Sequence, residues 1–190
     1  NYRDGNYGAG CGATVGKFAG MDYCMKSGIG SCALQVGELQ VGAVVAVNAL
    51  GDIYDWRSGQ KLAGLLAEDR RSFRRTEDLM YADTRTVENK FTGNTTIGVV
   101  ITNADFQKAS LCKIAGMAQD GYARSIRPVH TTADGDSIYA VSVRDAEGKK
   151  VSADQDLVGT LAAEVMSEAI TAAVKSARSA YGLPAWEDIS

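Results

Sequence analysis

The sequence has a single histidine, His130. One imidazole is a poor seed for a Ser-His-Asp triad. It also cannot complete a zinc site alone, because the four cysteines, Cys11, Cys24, Cys32 and Cys112, include no Cys-x-x-Cys pair. No metal and no cofactor is therefore expected. His130, just after Pro128-Val129, reads as structural, and the cysteines read as free buried thiols of a reducing cytoplasm. Positive charge is not in excess: 20 Lys and Arg stand against 23 Asp and Glu, a net charge of −3. Nucleic acid and anionic membrane are thus not expected partners. No apolar run approaches the roughly 18 residues that cross a bilayer, and no secretory leader opens the sequence.

What is present is an ordinary globular composition, with 45% hydrophobic residues over 190 positions, enough for one domain with a sizeable core. Residues 1–42 hold many of the glycines, which permit tight turns and close backbone approach but do not build helix. Two stretches there imitate nucleotide motifs. Gly12-Ala13-Thr14-Val15-Gly16-Lys17-Phe18 has one residue too few between its glycines for a phosphate loop, and Phe follows the Lys. Gly28-Ile29-Gly30-Ser31-Cys32-Ala33 is followed by an extended pattern, not by a helix. Lys17 remains as a lone cation in an apolar setting, and the ordinary fate of such a lysine is to reach solvent along its stem.

The organising stretch is Gly93-Asn94-Thr95-Thr96-Ile97-Gly98-Val99-Val100-Ile101-Thr102-Asn103. It reads as a turn, then hydroxyl residues, then a buried strand. Locally, Thr95 and Thr96 are β-formers at a strand start. If the Asn94–Thr95 bond breaks, however, Thr95 gains a free α-amine with a pKa of about 8, able to act as base for its own hydroxyl.

Residues 33–36 and 41–50 read as strands, the second so continuously apolar that both faces should be buried. Asn48 lies near its end, either as a structural amide or as a donor aimed at an oxyanion. From Glu68 to Lys90 acids and bases balance, as in a solvated connection with some helix, where a chain tolerates cutting. Asn103-Ala104-Asp105 predicts a helix start, with Phe106, Leu111, Ile114, Ala118 and Tyr122 on its apolar face and an end before Pro128. Asp134-Gly135-Asp136 reads as a turn before a strand over 137–143, and its two carboxylates are close enough to couple, with one pKa raised. A long helix is expected over 153–181, with Leu157, Leu161, Val165, Ile170, Ala177 and Tyr181 on its buried stripe.

Taken together, the Gly-rich run from Gly8 to Cys32, the strand end at Asn48, Gly93-Asn94-Thr95, and the stretch from Ala118 through Asp136 resemble the aminopeptidase–esterase family of self-cleaving N-terminal-nucleophile hydrolases. Thr after Asn, with Asp-Gly-Asp downstream, looks like the branch that hydrolyses 6-aminohexanoate (nylon) oligomers. The resemblance implies an α+β fold, a four-layer αββα sandwich, here lacking an N-terminal segment. It implies self-cleavage between Asn94 and Thr95. Residues 1–94 would then be the C-terminal part of a larger subunit and 95–190 a smaller subunit, together one domain. It carries over Thr95 as nucleophile, Lys17 and Asn48 as supporting polar groups, and Asp134 and Asp136 as the acidic pair. It implies a small oligoamide substrate and a homotetramer. Two rival expectations stand beside it: an aminopeptidase or β-aminopeptidase of the same family, and a non-catalytic fragment of such an enzyme.

Overall fold

The computed structural model describes residues 2–82, 93–144 and 146–189. Asp83, Arg85, Glu88 and Lys90 of the charged connection lie outside the described residues. The chain runs β1 (Thr14–Val15), β2 (Met25–Lys26), β3 (Ile29–Val36), β4 (Leu39–Ala46), β5 (Asp52–Tyr54), β6 (Lys61–Ala63), α1 (Thr76–Ala82), β7 (Ile97–Thr102), α2 (Lys108–Ser125), β8 (Ile126–Arg127), β9 (Ser137–Ser142), α3 (Gln155–Lys175) and α4 (Trp186–Ile189).

The frame is a four-stranded sheet in the order β3-β4-β7-β9. β3 and β4 form a hairpin turned at Gly37, whose φ of +61° lies in the left-handed region that suits glycine. β4 pairs antiparallel with β7, so strands from either side of position 94 share one sheet. β7 pairs parallel with β9, and a parallel neighbour needs a crossover, which α2 supplies. A small sheet, β6-β5-β8, stands apart.

Helices α2 and α3 cover one face of the large sheet. Val41, Ala43 and Val45 of β4 and Val100 of β7 bury against Val165, Met166, Ala169 and Ile170 of α3 and Ile114 and Tyr122 of α2. A fully buried large aliphatic side chain contributes about 1.5–3 kcal/mol. Glycine sets the approach: a Cβ on Gly30 would stand 2.1 Å from the Ala169 carbonyl oxygen, so α3 rests on β3 backbone to backbone. By length and composition α3 is apolar enough to cross a membrane, but 67% of that stretch is buried inside the protein. The arrangement is α+β, as expected, with helices gathered on one sheet face.

Several boundaries differ from the sequence reading. The strand expected over 41–50 is Leu39–Ala46, and its burial alternates instead of being continuous. Helices cover one face of this sheet; its other face carries the exposed Ile97, Ile101, Tyr139 and Val141. Helix α2 starts at Lys108, not at Asn103, because the Asn103 side chain accepts from the Gln40 amide at 2.8 Å and donates to the Glu38 carbonyl at 2.8 Å, tying β7 to the hairpin. Helix α3 starts after Asp154, whose carboxylate accepts from the amides of Asp156 and Leu157. It ends at Lys175, since Asn6 then takes both the amide and the carbonyl of Arg178, at 3.0 and 2.7 Å. Tyr181, expected on the buried stripe, is exposed, and so is Leu157. Among the cysteines only Cys24 is buried; Cys32 is half-buried, and Cys11 and Cys112 are exposed.

Candidate active site

Residues 94–96 extend β7 beyond its first residue and run parallel to residues 134–137. Asn94 bridges to Asp134, the Gly135 amide donates to the Asn94 carbonyl at 2.9 Å, and the Ser137 amide donates to the Thr96 carbonyl at 3.0 Å. This pairing places the expected bond and the expected acidic pair side by side. Asp-Gly is thus not a hairpin turn but the mouth of a parallel strand.

Thr95 is half-buried, and its Oγ1 donates to the carbonyl oxygen of its own preceding residue, Asn94, at 2.5 Å. Its backbone nitrogen donates to the Asn48 carbonyl at 2.9 Å. The Thr95 hydroxyl is thus held on the Asn94 carbonyl and the Thr95 nitrogen on the Asn48 carbonyl.

Asn48 follows the end of β4 and works with both ends of its side chain. Nδ2 donates to the Gly93 carbonyl at 2.8 Å. Oδ1 accepts from the Thr14 amide at 3.1 Å and from Lys17 Nζ at 2.7 Å. The Asn48 amide thus grips the residue just before Asn94.

Lys17 does not reach solvent. It is 1% exposed, and Nζ donates to Asn48 at both Oδ1 and the backbone carbonyl. The chain buries it by a tight turn: Gly16 sits at φ +74°, and a Cβ there would stand 2.1 Å from Gly64 and Leu65 backbone atoms. Burial lowers the Lys17 pKa to about 8, with nearby Cys24 and Asp134 pulling the other way. A second buried lysine, Lys26, ties the Gly-rich run, donating to the carbonyls of Gly10 and Ala13 at 2.9 Å each.

The two aspartates bond to residues around Thr95. Asp136 Oδ1 accepts from the Thr96 amide at 2.9 Å. Asp134 accepts from the Leu50 amide at 3.2 Å and from the Thr131 hydroxyl at 2.6 Å. Burial raises the Asp136 pKa and the charge of Asp134 adds to the rise, against the Thr96 amide and His130, which lower it. His130 is drawn in as more than a spacer. Its Nδ1 lies 3.1 Å from Asp136 Oδ2, and its backbone sits at φ +55°. Tyr122, wholly buried, places its hydroxyl 3.3 Å from the carbonyls of Thr96 and Ser137, under the same strand pair.

The structure therefore gathers all five predicted site residues, Lys17, Asn48, Thr95, Asp134 and Asp136, around the Asn94–Thr95 bond. Reading the sequence missed Gly135, His130, Tyr122 and Thr14. Their proximity depends on the parallel register of β7 and β9 and on the β1 contact with Asn48, which no local pattern signals. A groove of about 690 Å³, lined in part by Ser31, Leu34, Gly42, Val44 and Ile101, lies over the far half of the same sheet.

Residues 1–185 match the model for Peptidase family S58. An uncharacterised aminopeptidase of Mycobacterium leprae is 34% identical over 96% of the chain and 51% of its own length. A 6-aminohexanoate-oligomer endohydrolase of a Kocuria species is 28% identical over 92% of the chain and 51% of its own length. The chain thus spans about half the length of the curated relatives it matches. Among solved structures, the L-aminopeptidase D-Ala-esterase/amidase of Ochrobactrum anthropi, described as a variant of the Ntn-hydrolase fold, superposes with a TM-score of 0.59 at 18% identity, over 93% of this chain and 46% of that one. A β-aminopeptidase of a Burkholderia species gives a TM-score of 0.55 at 18% identity, over 93% and 48%. These likenesses show the fold.

Proposed function

The chain belongs to peptidase family S58, and from that premise we propose that it cleaves itself between Asn94 and Thr95 and then hydrolyses linear amides with Thr95 as N-terminal nucleophile. The observation that carries this reading is the Thr95 hydroxyl, 2.5 Å from the Asn94 carbonyl oxygen, with the Thr95 nitrogen held on Asn48. In self-cleavage Oγ bonds to the Asn94 carbonyl carbon, the C–N bond breaks, and the proton lost from Oγ ends on the Thr95 nitrogen. Water then hydrolyses the ester, leaving an Asn94 carboxylate and a free Thr95 amine and hydroxyl. The amine, with a pKa of about 8, serves as base for the hydroxyl in each later turnover.

Release of residues 93–94 would vacate the Asn48 Nδ2 now bonded to Gly93. That donor then faces an incoming amide carbonyl and stabilises its oxyanion, with Lys17 orienting the Asn48 side chain. Asp134 and Asp136 face the ammonium that forms. The substrate class is a linear oligoamide, 6-aminohexanoate oligomers first, on the strength of Thr after Asn and the relatives that bear that name. Cytoplasmic location and homotetrameric assembly go with this reading. A peptide or β-peptide aminopeptidase is the second reading, favoured by the higher identity to a relative named as an aminopeptidase.

Intact mass and a denaturing gel test the reading. The wild-type chain should appear as two pieces divided at Asn94–Thr95, and the Thr95→Ala chain as one. Release of amino groups from 6-aminohexanoate oligomers, compared with release from short peptide amides, separates the two substrate readings. A wild-type chain that stays whole overturns the proposal.

A further inference from the structure

We propose that the backbone amide of Gly135 is the oxyanion donor for the self-cleavage step, an inference that rests on the self-cleavage reading above. The Asn94 carbonyl is the group that becomes tetrahedral when Thr95 Oγ adds to it. Its oxygen already accepts from Gly135 N at 2.9 Å before any bond forms, so a fixed donor is in place at the oxygen on which negative charge develops. Asn94 is only 1% exposed, so water competes little for that oxygen and the local dielectric strengthens the bond.

The donor is fixed from both sides. Asp134 is anchored by its carboxylate to Thr131 and Leu50, and its amide donates to the Thr131 carbonyl at 3.0 Å. Asp136 is anchored to the Thr96 amide and to His130. The peptide between them cannot swing away as charge builds. In this step the two carboxylates act as positioning residues, and the amide between them touches the reacting atom.

The residue must also be small. A Cβ on Gly135 would stand 2.7 Å from Thr95 Oγ1, on top of the nucleophile. Any larger side chain displaces the hydroxyl from the carbonyl it attacks. Glycine here is required by close approach to the attacking atom, since Gly135 is not among the positive-φ glycines.

During the step the Gly135 N–H keeps its proton and its hydrogen bond. The electron pair of the Asn94 C=O moves to oxygen as the Oγ–C bond forms, and returns as the C–N bond breaks. The proton from Oγ goes to the Thr95 nitrogen.

Incorporating glycolic acid at position 135 in cell-free translation tests this. It replaces the N–H with an ester oxygen and leaves shape unchanged, and cleavage is followed from the moment of synthesis. We expect a folded chain, by far-UV circular dichroism, that cleaves about a hundredfold more slowly than wild type. A folded glycolyl chain cleaving at the wild-type rate, beside a Thr95→Ala chain that stays whole, overturns this proposal and leaves the self-cleavage reading intact. Failure of the wild type to cleave overturns both. Amide hydrogen exchange needs no altered residue at position 135: in the uncut Thr95→Ala chain the Gly135 amide should be protected. Exchange there at the rate of an open amide overturns the donor assignment.

Discussion

Lys17 and Asn48 are joined twice, with the lysine Nζ 2.7 Å from the side-chain oxygen and 3.2 Å from the backbone oxygen of the asparagine. The pair links the Gly-rich run to the end of β4, and Asn48 in turn holds Gly93 and Thr95 on either side of Asn94. A charged group buried this far is held against its hydration preference.

That cost has a pH signature. The Lys17 pKa is lowered from 10.5 to about 8 by burial. Between those values the unfolded chain keeps a proton that the native chain has released, so native stability rises with pH. In the Thr95→Ala background, to keep the chain whole, urea unfolding should show Lys17 gaining on Lys17→Met as pH passes from 8 toward 10.5, by at most about 3 kcal/mol. A difference that stays flat across that window places Lys17 in an environment wetter than the one described.

His130 faces Asp136 and lowers the pKa of that carboxyl, which burial has raised. Removing the imidazole lets the Asp136 pKa rise further. His130→Ala should therefore move the acid limb of self-cleavage to higher pH, while cleavage on the neutral plateau changes less. Superimposable profiles for the two chains would leave His130 with packing alone.

Gly30 lies directly beneath α3, and a Cβ there would meet the Ala169 carbonyl at 2.1 Å and the Ala173 nitrogen at 2.3 Å. Both are backbone atoms, which cannot rotate aside. Gly30→Ala should destabilise the chain by about 3 kcal/mol, the upper end of ordinary overpacking, measured by urea midpoint.

Asp52 is buried with Lys61 at 3.0 Å and also accepts from the Leu65 amide and from the Thr76 amide and hydroxyl. It fastens residues 61–76, the approach to the charged connection. Asp52→Ala leaves the half-buried Lys61 short of its counter-charge and the Leu65 and Thr76 donors without their acceptor, at a cost of about 3–5 kcal/mol. Asp52→Asn, which keeps a hydrogen-bonding oxygen, should cost less; equal losses would mean that the charge, and not the acceptor oxygen, carries the whole stabilisation.

Much of the candidate site could be read from residue types. Thr95 after Asn94, the amide at a strand end, and carboxylates two apart at a strand mouth each carry a chemical reason that survives without coordinates. The local pattern misled where a residue serves a distant partner. Asn103 looks like a helix cap and instead ties β7 to the hairpin. Lys17 looks like a surface cation and is instead enclosed beside Asn48. Tyr181 has helical spacing, but Asn6, far away in sequence, has already turned the chain.

The family resemblance implied the α+β class and the roles of the site residues; the sequence by itself determined the alternating and helical patterns and the presence of a hydroxyl residue and of acids able to work with it. These follow from periodicity and from the chemistry of single side chains. Only the tertiary structure decided that residues 94–96 and 134–137 lie in parallel register, and hence that Gly135 rather than either aspartate touches the Asn94 carbonyl. Register between strands joined through a helix is set by how that helix packs on the sheet, a sum of long-range contacts that no short window of residues contains.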